Sequence, residues 1–131
     1  MIDHISIAVS DLDRSTDFYR AVLAPLGFDL LVERPATMGF GKRYSEFWLN
    51  HRPDMTPVAD GTGVHICLRA RTKDAVVAFH EAALAHGGRS DGEPCTRDAS
   101  VTPYFAAFIL DPDGNKIEAA TFPGPEERGK A

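Results

Sequence analysis

Cysteine, tryptophan and long apolar runs are all scarce in this chain, and two of these scarcities exclude whole classes of protein. There are two cysteines in 131 residues, Cys67 in an apolar run and Cys95 in a loop-like one. Their spacing makes neither a disulfide framework nor a zinc ribbon. No apolar run reaches the roughly 20 residues that a helix needs to cross a bilayer. The opening residues, Met1 to His4, carry no basic region and no long apolar segment. No signal peptide is therefore visible, and cytoplasmic residence is the expectation. Positive charge is short as well: 14 Lys and Arg stand against 19 Asp and Glu, a net charge of −5. That balance argues against nucleic acid and anionic membranes as partners. What remains is 44% hydrophobic residues, enough for one core and one compact domain.

The chain repeats itself. Adding 61 to a residue number carries His4 to His65, Ile5 to Ile66, Asp13 to Asp74 and Phe18 to Phe79. The same step carries Ala21 to Ala82, Leu23 to Leu84, Ala24 to Ala85 and Gly27 to Gly88. Eight identities over 24 ungapped positions describe two copies of one supersecondary unit. Both copies hold a histidine at the same place, and two equivalent imidazoles are the start of a metal site.

Residues 2–9 alternate, with Ile5, Ile7 and Val9 on one face and His4, Ser6 and Ala8 on the other. Ser10 or Asp11 can cap a following helix that runs to about Ala24. Phe18, Val22 and Leu26 form its apolar stripe. Residues 28–33 read as a strand, and 37–41 with 45–50 as a hairpin. This gives βαβββ for a first module over about 1–52. A linker over about 53–62 follows. The second module, about 63–122, restarts with Val64, Ile66 and Leu68 as its core face. Thr72 caps a helix over 73–86, and a long loop runs from Arg89 to Thr102. A strand over 104–110, a turn at Asp111 to Gly114 and a last strand complete the module. The tail, 123–131, is polar. A loop as long as 89–102 predicts a lid over one mouth of a binding cup.

The aliphatic face of each strand needs the helices as its partner layer. His4, His65 and Glu118 then point the other way, into a common concavity. Two neutral imidazoles and one carboxylate suit a divalent metal with open positions. In the last strand of the first module, Glu46, Trp48 and Asn50 share that concave face. Glu46 would add a fourth ligand, while Trp48 at the same level would leave three and serve as pocket wall. Arg69 has the concave parity and suits an anionic group of a substrate; Tyr104 joins Trp48 and Arg69 as a pocket residue. His80 and His86 are expected on the surface of the second helix.

The run from His4 through Asp11 to Tyr19 resembles the opening of the vicinal oxygen chelate superfamily, which includes glyoxalase I, extradiol dioxygenases, and fosfomycin- and bleomycin-resistance proteins. Gly63 to His65, Phe79 to Gly88 and Asp111 to Glu118 resemble its second half. The resemblance covers nearly the whole chain. It implies an α+β fold of two paired βαβββ modules, with sheets curled into a cup and helices outside. It implies a divalent metal (zinc, nickel, manganese, cobalt or iron) held by His4, Glu46, His65 and Glu118. It also implies a small substrate with vicinal oxygens and a homodimer. In a lyase or isomerase of the lactoylglutathione lyase type, Glu118 or Glu46 would serve as base on a carbon-bound proton. The alternatives are a metal-free, bleomycin-resistance-like binding protein and an extradiol-type dioxygenase.

Overall fold

The computed structural model describes residues 1–98 and 102–122. The expected tail, 123–131, and residues 99–101 of the expected lid lie outside the described residues. The first module is β1 (Ile5–Val9), α1 (Leu12–Leu23) with a short 3-10 turn over Ala24–Leu26, β2 (Asp29–Glu33), β3 (Thr37–Gly41) and β4 (Ser45–His51). The second is β5 (Ile66–Arg69), α2 (Lys73–Ala85), β6 (Arg89–Arg97), β7 (Tyr104–Leu110) and β8 (Lys116–Thr121). Each module forms a four-stranded mixed sheet, ordered β1-β4-β3-β2 and β5-β8-β7-β6. The fold is α+β with two βαβββ modules, as expected. The 61-residue step lands on it directly, for it carries Ile5 to Ile66 at the head of β5 and Leu12 to Lys73 at the head of α2.

Local chemistry explains the helices. Asp11 is extended and its side chain accepts the Arg14 amide; Thr72 does the same for Ala75. Each cap satisfies one of the amides that a helix start leaves free. Replacing Asp11 by alanine should cost about 1 kcal/mol, read from urea unfolding; no change in midpoint would deny the cap any role. The apolar stripe of α1 is buried as predicted, with Phe18 and Val22 fully enclosed and Leu26 nearly so. Phe79, the counterpart of Phe18, is fully buried on α2. The helices pack on each other and each covers one face of its own sheet. Together they make one core shared by both modules. The opposite face of each sheet, the one bearing His4 or His65, is left without a helix.

Three local expectations are corrected. Val64 is 71% exposed and precedes β5, so the core face of that strand is Ile66 and Leu68 alone. His80 is buried, not on the surface, and its Nε2 lies 2.8 Å from the Ser90 hydroxyl. Most of the expected lid is β6, a strand paired antiparallel with β7. β6 is the edge of its sheet, which lets it be polar and lets it hold Pro94. Two register shifts, between Ser90 and Gly92 and between Gly92 and Cys95, erase its alternation.

A polar clasp joins the modules. Asp111, buried at the end of β7, accepts the Tyr19 hydroxyl of α1 at 2.6 Å. It also accepts the amides of Asp113 and Asn115 and the side-chain amide of Asn115. Asn115 reaches on to the Ala8 carbonyl of β1 at 3.0 Å, and Asp113 accepts both the amide and the hydroxyl of Ser10. The turn read from Asp111 to Gly114 is therefore also a tie between the halves. This tie fixes the end of β8 that leads into Glu118.

Candidate metal centre

Glu118 is the centre of the site. It lies on β8 between Cys67 of β5 and Phe108 of β7, its cross-strand partners. It is 4% exposed, which is unusual for a carboxylate. One oxygen, Oε1, accepts from His65 Nε2 at 3.1 Å. The other, Oε2, is buried and makes no direct hydrogen bond, while weaker hydrogen-bonding interactions tie the carboxylate to the Cys67 thiol and the Tyr104 hydroxyl. A buried carboxylate oxygen without a direct donor is costly. A cation is the partner that suits both this oxygen and the neighbouring imidazole. His65 itself is half-exposed, and its ring meets Phe108 edge-on with centroids 5.5 Å apart.

The surrounding groups respond to the same carboxylate. Partial burial and then Glu118 push the Cys67 thiol up to about 12, so it stays protonated at neutral pH. Burial and Glu118 also hold the Tyr104 phenol above its ordinary value, while Arg97 pulls it down. Arg69 lies over the Phe122 ring at 5.0 Å, and that ring stacks on Tyr104 with centroids 5.3 Å apart. The expected pocket residues Arg69 and Tyr104 thus share a patch with Glu118. Beside His65 opens a cleft of about 460 Å³ bounded by the linker, Arg89 and Lys116.

The structure does not bring the whole expected ligand set together within one chain. His4 stands on the bare face of the first sheet, half-exposed, with Nδ1 donating to Asp3 at 2.7 Å. It lines a different cleft, shared with Arg34, Tyr44 and Trp48. Among the described residues no group of three His, Cys, Asp or Glu is placed to hold a metal. Parity put His4 on the same face as Trp48, whose cleft it lines, but parity says nothing about which other face it meets.

Strand register addresses the choice between Glu46 and Trp48. In the first module Ser6 pairs with Trp48; in the second, Cys67 pairs with Glu118. Ser6 and Cys67 are 61 residues apart, so Trp48 holds the place that corresponds to Glu118. Glu46 falls one residue pair away along the strand, roughly 6.5–7 Å. Arg34 lies over the Trp48 ring at 5.5 Å. The sequence missed Arg97 and Phe108, which flank the site. Their signal was hidden in the bulged edge strand and in the apolar run of β7.

Two βαβββ modules, each a four-stranded mixed sheet with a helix on one face, make a duplicated α+β fold. The comparisons agree, since the family profile for the Glyoxalase/Bleomycin resistance protein/Dioxygenase superfamily matches residues 1–119. The chain belongs to that superfamily. A glyoxalase/bleomycin resistance protein from Albidiferax ferrireducens T118 is similar at 32% identity and TM-score 0.81, over 91% of this chain and 97% of that one. A glyoxalase I mutant from Zea mays shares the fold at TM-score 0.71 and 21% identity, over 90% of this chain and 44% of that one. FosX, a fosfomycin resistance protein from Listeria monocytogenes, shares it at TM-score 0.67 and 17% identity, over 98% and 97%. No helix among the described residues is long and apolar enough to cross a membrane.

Proposed function

We propose that this protein binds a divalent metal with His65 and Glu118 and acts on a small molecule bearing vicinal oxygens. The third ligand in this reading is His4 of a second copy, so that the functional unit is a homodimer. The observation that carries it is the Glu118 carboxylate, buried, joined to His65 on one side and without a direct donor on the other. When bound there, a divalent ion would supply Lewis-acid polarisation of the substrate's oxygens. In an isomerase version of this reading Glu118, buried at the centre of the site, would also serve as the base. In this reading Arg69 and Tyr104 flank Glu118, Trp48 comes with His4 from the second copy, and the three orient the substrate.

Glu46 is not in the ligand set of this reading, because Trp48 takes the position that matches Glu118. Two imidazoles and one carboxylate leave several coordination positions open. That set also suits oxygen-dependent chemistry with iron, and it weakens the isomerase reading, in which a second carboxylate shares the work. A metal-free binding protein has one observation of its own: the Trp48 ring, capped by Arg34, is a ready platform for a flat ligand.

The test is metal affinity in Glu46→Gln beside Glu118→Gln, read by elemental analysis and by the fluorescence of Trp48, the one tryptophan of the chain. Glu118→Gln should lose about 100-fold or more in affinity, while Glu46→Gln should stay within about threefold. Equal losses would restore the four-ligand site. A wild type that takes up none of zinc, nickel, manganese, cobalt or iron would favour the metal-free binder.

A further inference from the structure

Glu118 is not alone in lacking a direct partner on the second sheet. Arg97, the last residue of β6, has its Nε buried with no acceptor among the described residues. The rest of its guanidinium is held firmly. Nη2 donates to the Glu93 carbonyl at 2.8 Å, and the group lies 5.0 Å from the centroid of the Phe108 ring. Space for it is made by Gly92, where a Cβ would stand 2.9 Å from Arg97 Nη2 and 3.0 Å from Phe108 Cδ2. Phe108 in turn is the cross-strand neighbour of Glu118 and touches His65.

The other cation on the same ring shows the contrast. Lys116 lies 4.8 Å from the Phe108 centroid but is neutralised by Asp91 at 2.8 Å. Arg97 has no carboxylate within ion-pair distance among the described residues. A buried charge-bearing donor and a buried carboxylate oxygen, both without a direct partner, therefore share one sheet face around one aromatic ring. They do not satisfy each other, so each awaits a partner of opposite sign. Tyr104 is the cross-strand partner of Arg97 and feels both charges.

We infer that Arg97 is a specificity residue whose guanidinium holds an oxyanion of the substrate beside the His65–Glu118 centre. The substrate class is then a small acid with vicinal oxygens, such as a 2-hydroxy or 2-oxo carboxylate or an oxyanion of similar size. Neutral diols and catechols lack the group that Arg97 needs. The planar fork, tethered at one nitrogen and backed by an aromatic face, leaves its remaining N–H edge to pair with a carboxylate. This inference rests on the metal reading for its substrate class, but its arginine arm is tested separately.

The experiment compares wild type, Arg97→Gln and Arg97→Lys by calorimetric titration. The zinc-loaded proteins receive oxalate, a dianion with vicinal oxygens, and acetohydroxamic acid, which offers vicinal oxygens without a charged carboxylate. Arg97→Gln should weaken oxalate by about 10- to 100-fold, the loss of one charge-assisted contact. It should leave acetohydroxamic acid and zinc within about twofold, and Arg97→Lys should recover part of the oxalate loss. The Arg97 Nε–H resonance of the wild type should shift on oxalate addition. Unchanged oxalate affinity in Arg97→Gln overturns the inference, and so does an equal loss for both probes, which would mark a structural arginine. If the wild type binds no zinc, the metal reading fails, and oxalate titration of the metal-free proteins decides this inference instead. Dependence on Arg97 there upholds it, and none overturns it.

Discussion

Mixing His4→Ala chains with His65→Ala chains should restore metal binding that neither variant shows alone. The expectation follows from where the two histidines stand. His65 is joined to Glu118 on the second sheet, while His4 lines a separate cleft on the first. In the proposed reading each bare face would be half a site, and a two-fold pair of copies would supply both halves twice. In a mixed dimer one site receives intact His4 from one chain and intact His65 and Glu118 from the other. The second site receives both alanines. With random exchange half the dimers are mixed, so about a quarter of all sites should recover metal. Each single variant should lose about 100-fold or more in affinity, because three protein ligands fall to two. Metal content after unfolding, mixing and refolding is the measurement. No recovery on mixing, with wild type carried through the same steps and loaded, would place the site within one chain or nowhere. Retention of metal by His4→Ala alone would remove His4 from the ligands.

The parts legible in the sequence were those governed by short-range rules. The alternation of Ile5, Ile7 and Val9 and the caps Asp11 and Thr72 act within a few residues, and the 61-residue step carried them from one module to the other. What was hidden depends on partners far along the chain. The strand β6 looked like a loop because an edge strand needs no apolar face, and its bulges break the period of two. The ambiguity between Glu46 and Trp48 has a similar physical cause. The β3–β4 ladder shifts register between Phe40 and Gly41, where a Cβ on Gly41 would stand 1.8 Å from the Tyr44 carbonyl oxygen. Counting from the turn and counting from the strand therefore give different answers. Parity placed His4, His65 and Glu118 on the helix-free faces, but the spatial relation between the two faces is set by helix packing and by the clasp at Asp111. Buried His80 occupies the counterpart of Tyr19, a position where each helix turns a polar ring inward. That equivalence was present in the numbering, but neither ring declared its burial.

Replacing Asp111 by alanine should destabilise the protein more than any change at the candidate metal centre. The carboxylate is 2% exposed and holds four donors from three residues: the Tyr19 hydroxyl, the Asp113 and Asn115 amides, and the Asn115 side chain. Removing it leaves a fully buried phenol without its acceptor and frees the turn that binds β1 and the linker. Val58 of the linker donates to the Asp113 carbonyl at 2.9 Å, so the disturbance spreads beyond the turn. Buried donors left unpaired cost about 1–3 kcal/mol each, and an expected total is about 3–5 kcal/mol. For a domain of this size that lowers the thermal midpoint by roughly 10–20 °C. Tyr19→Phe removes only one of the four bonds and should cost about 1.5–3 kcal/mol. The two changes share a bond, so their effects should add to less than their sum in a double-mutant cycle. The pH dependence has a definite sign. Burial raises the Asp111 carboxyl above its ordinary value, and the hydrogen bonds only partly oppose this. The folded state thus holds this proton more tightly than the unfolded chain does. The contribution of this group is fully present below the unfolded value and is lost as pH rises through the folded one. Mild acidification should therefore narrow the gap between the clasp's cost at neutral pH and its best value, and Asp111→Asn should flatten that part of the stability profile. Chemical denaturation of wild type, Asp111→Ala and Asp111→Asn from pH 4 to 8 measures it. A loss under 1 kcal/mol for Asp111→Ala would show that the modules are held together by their apolar core alone, whereas a wild-type profile in which acid weakens this site would show that the hydrogen bonds to Asp111 outweigh its burial.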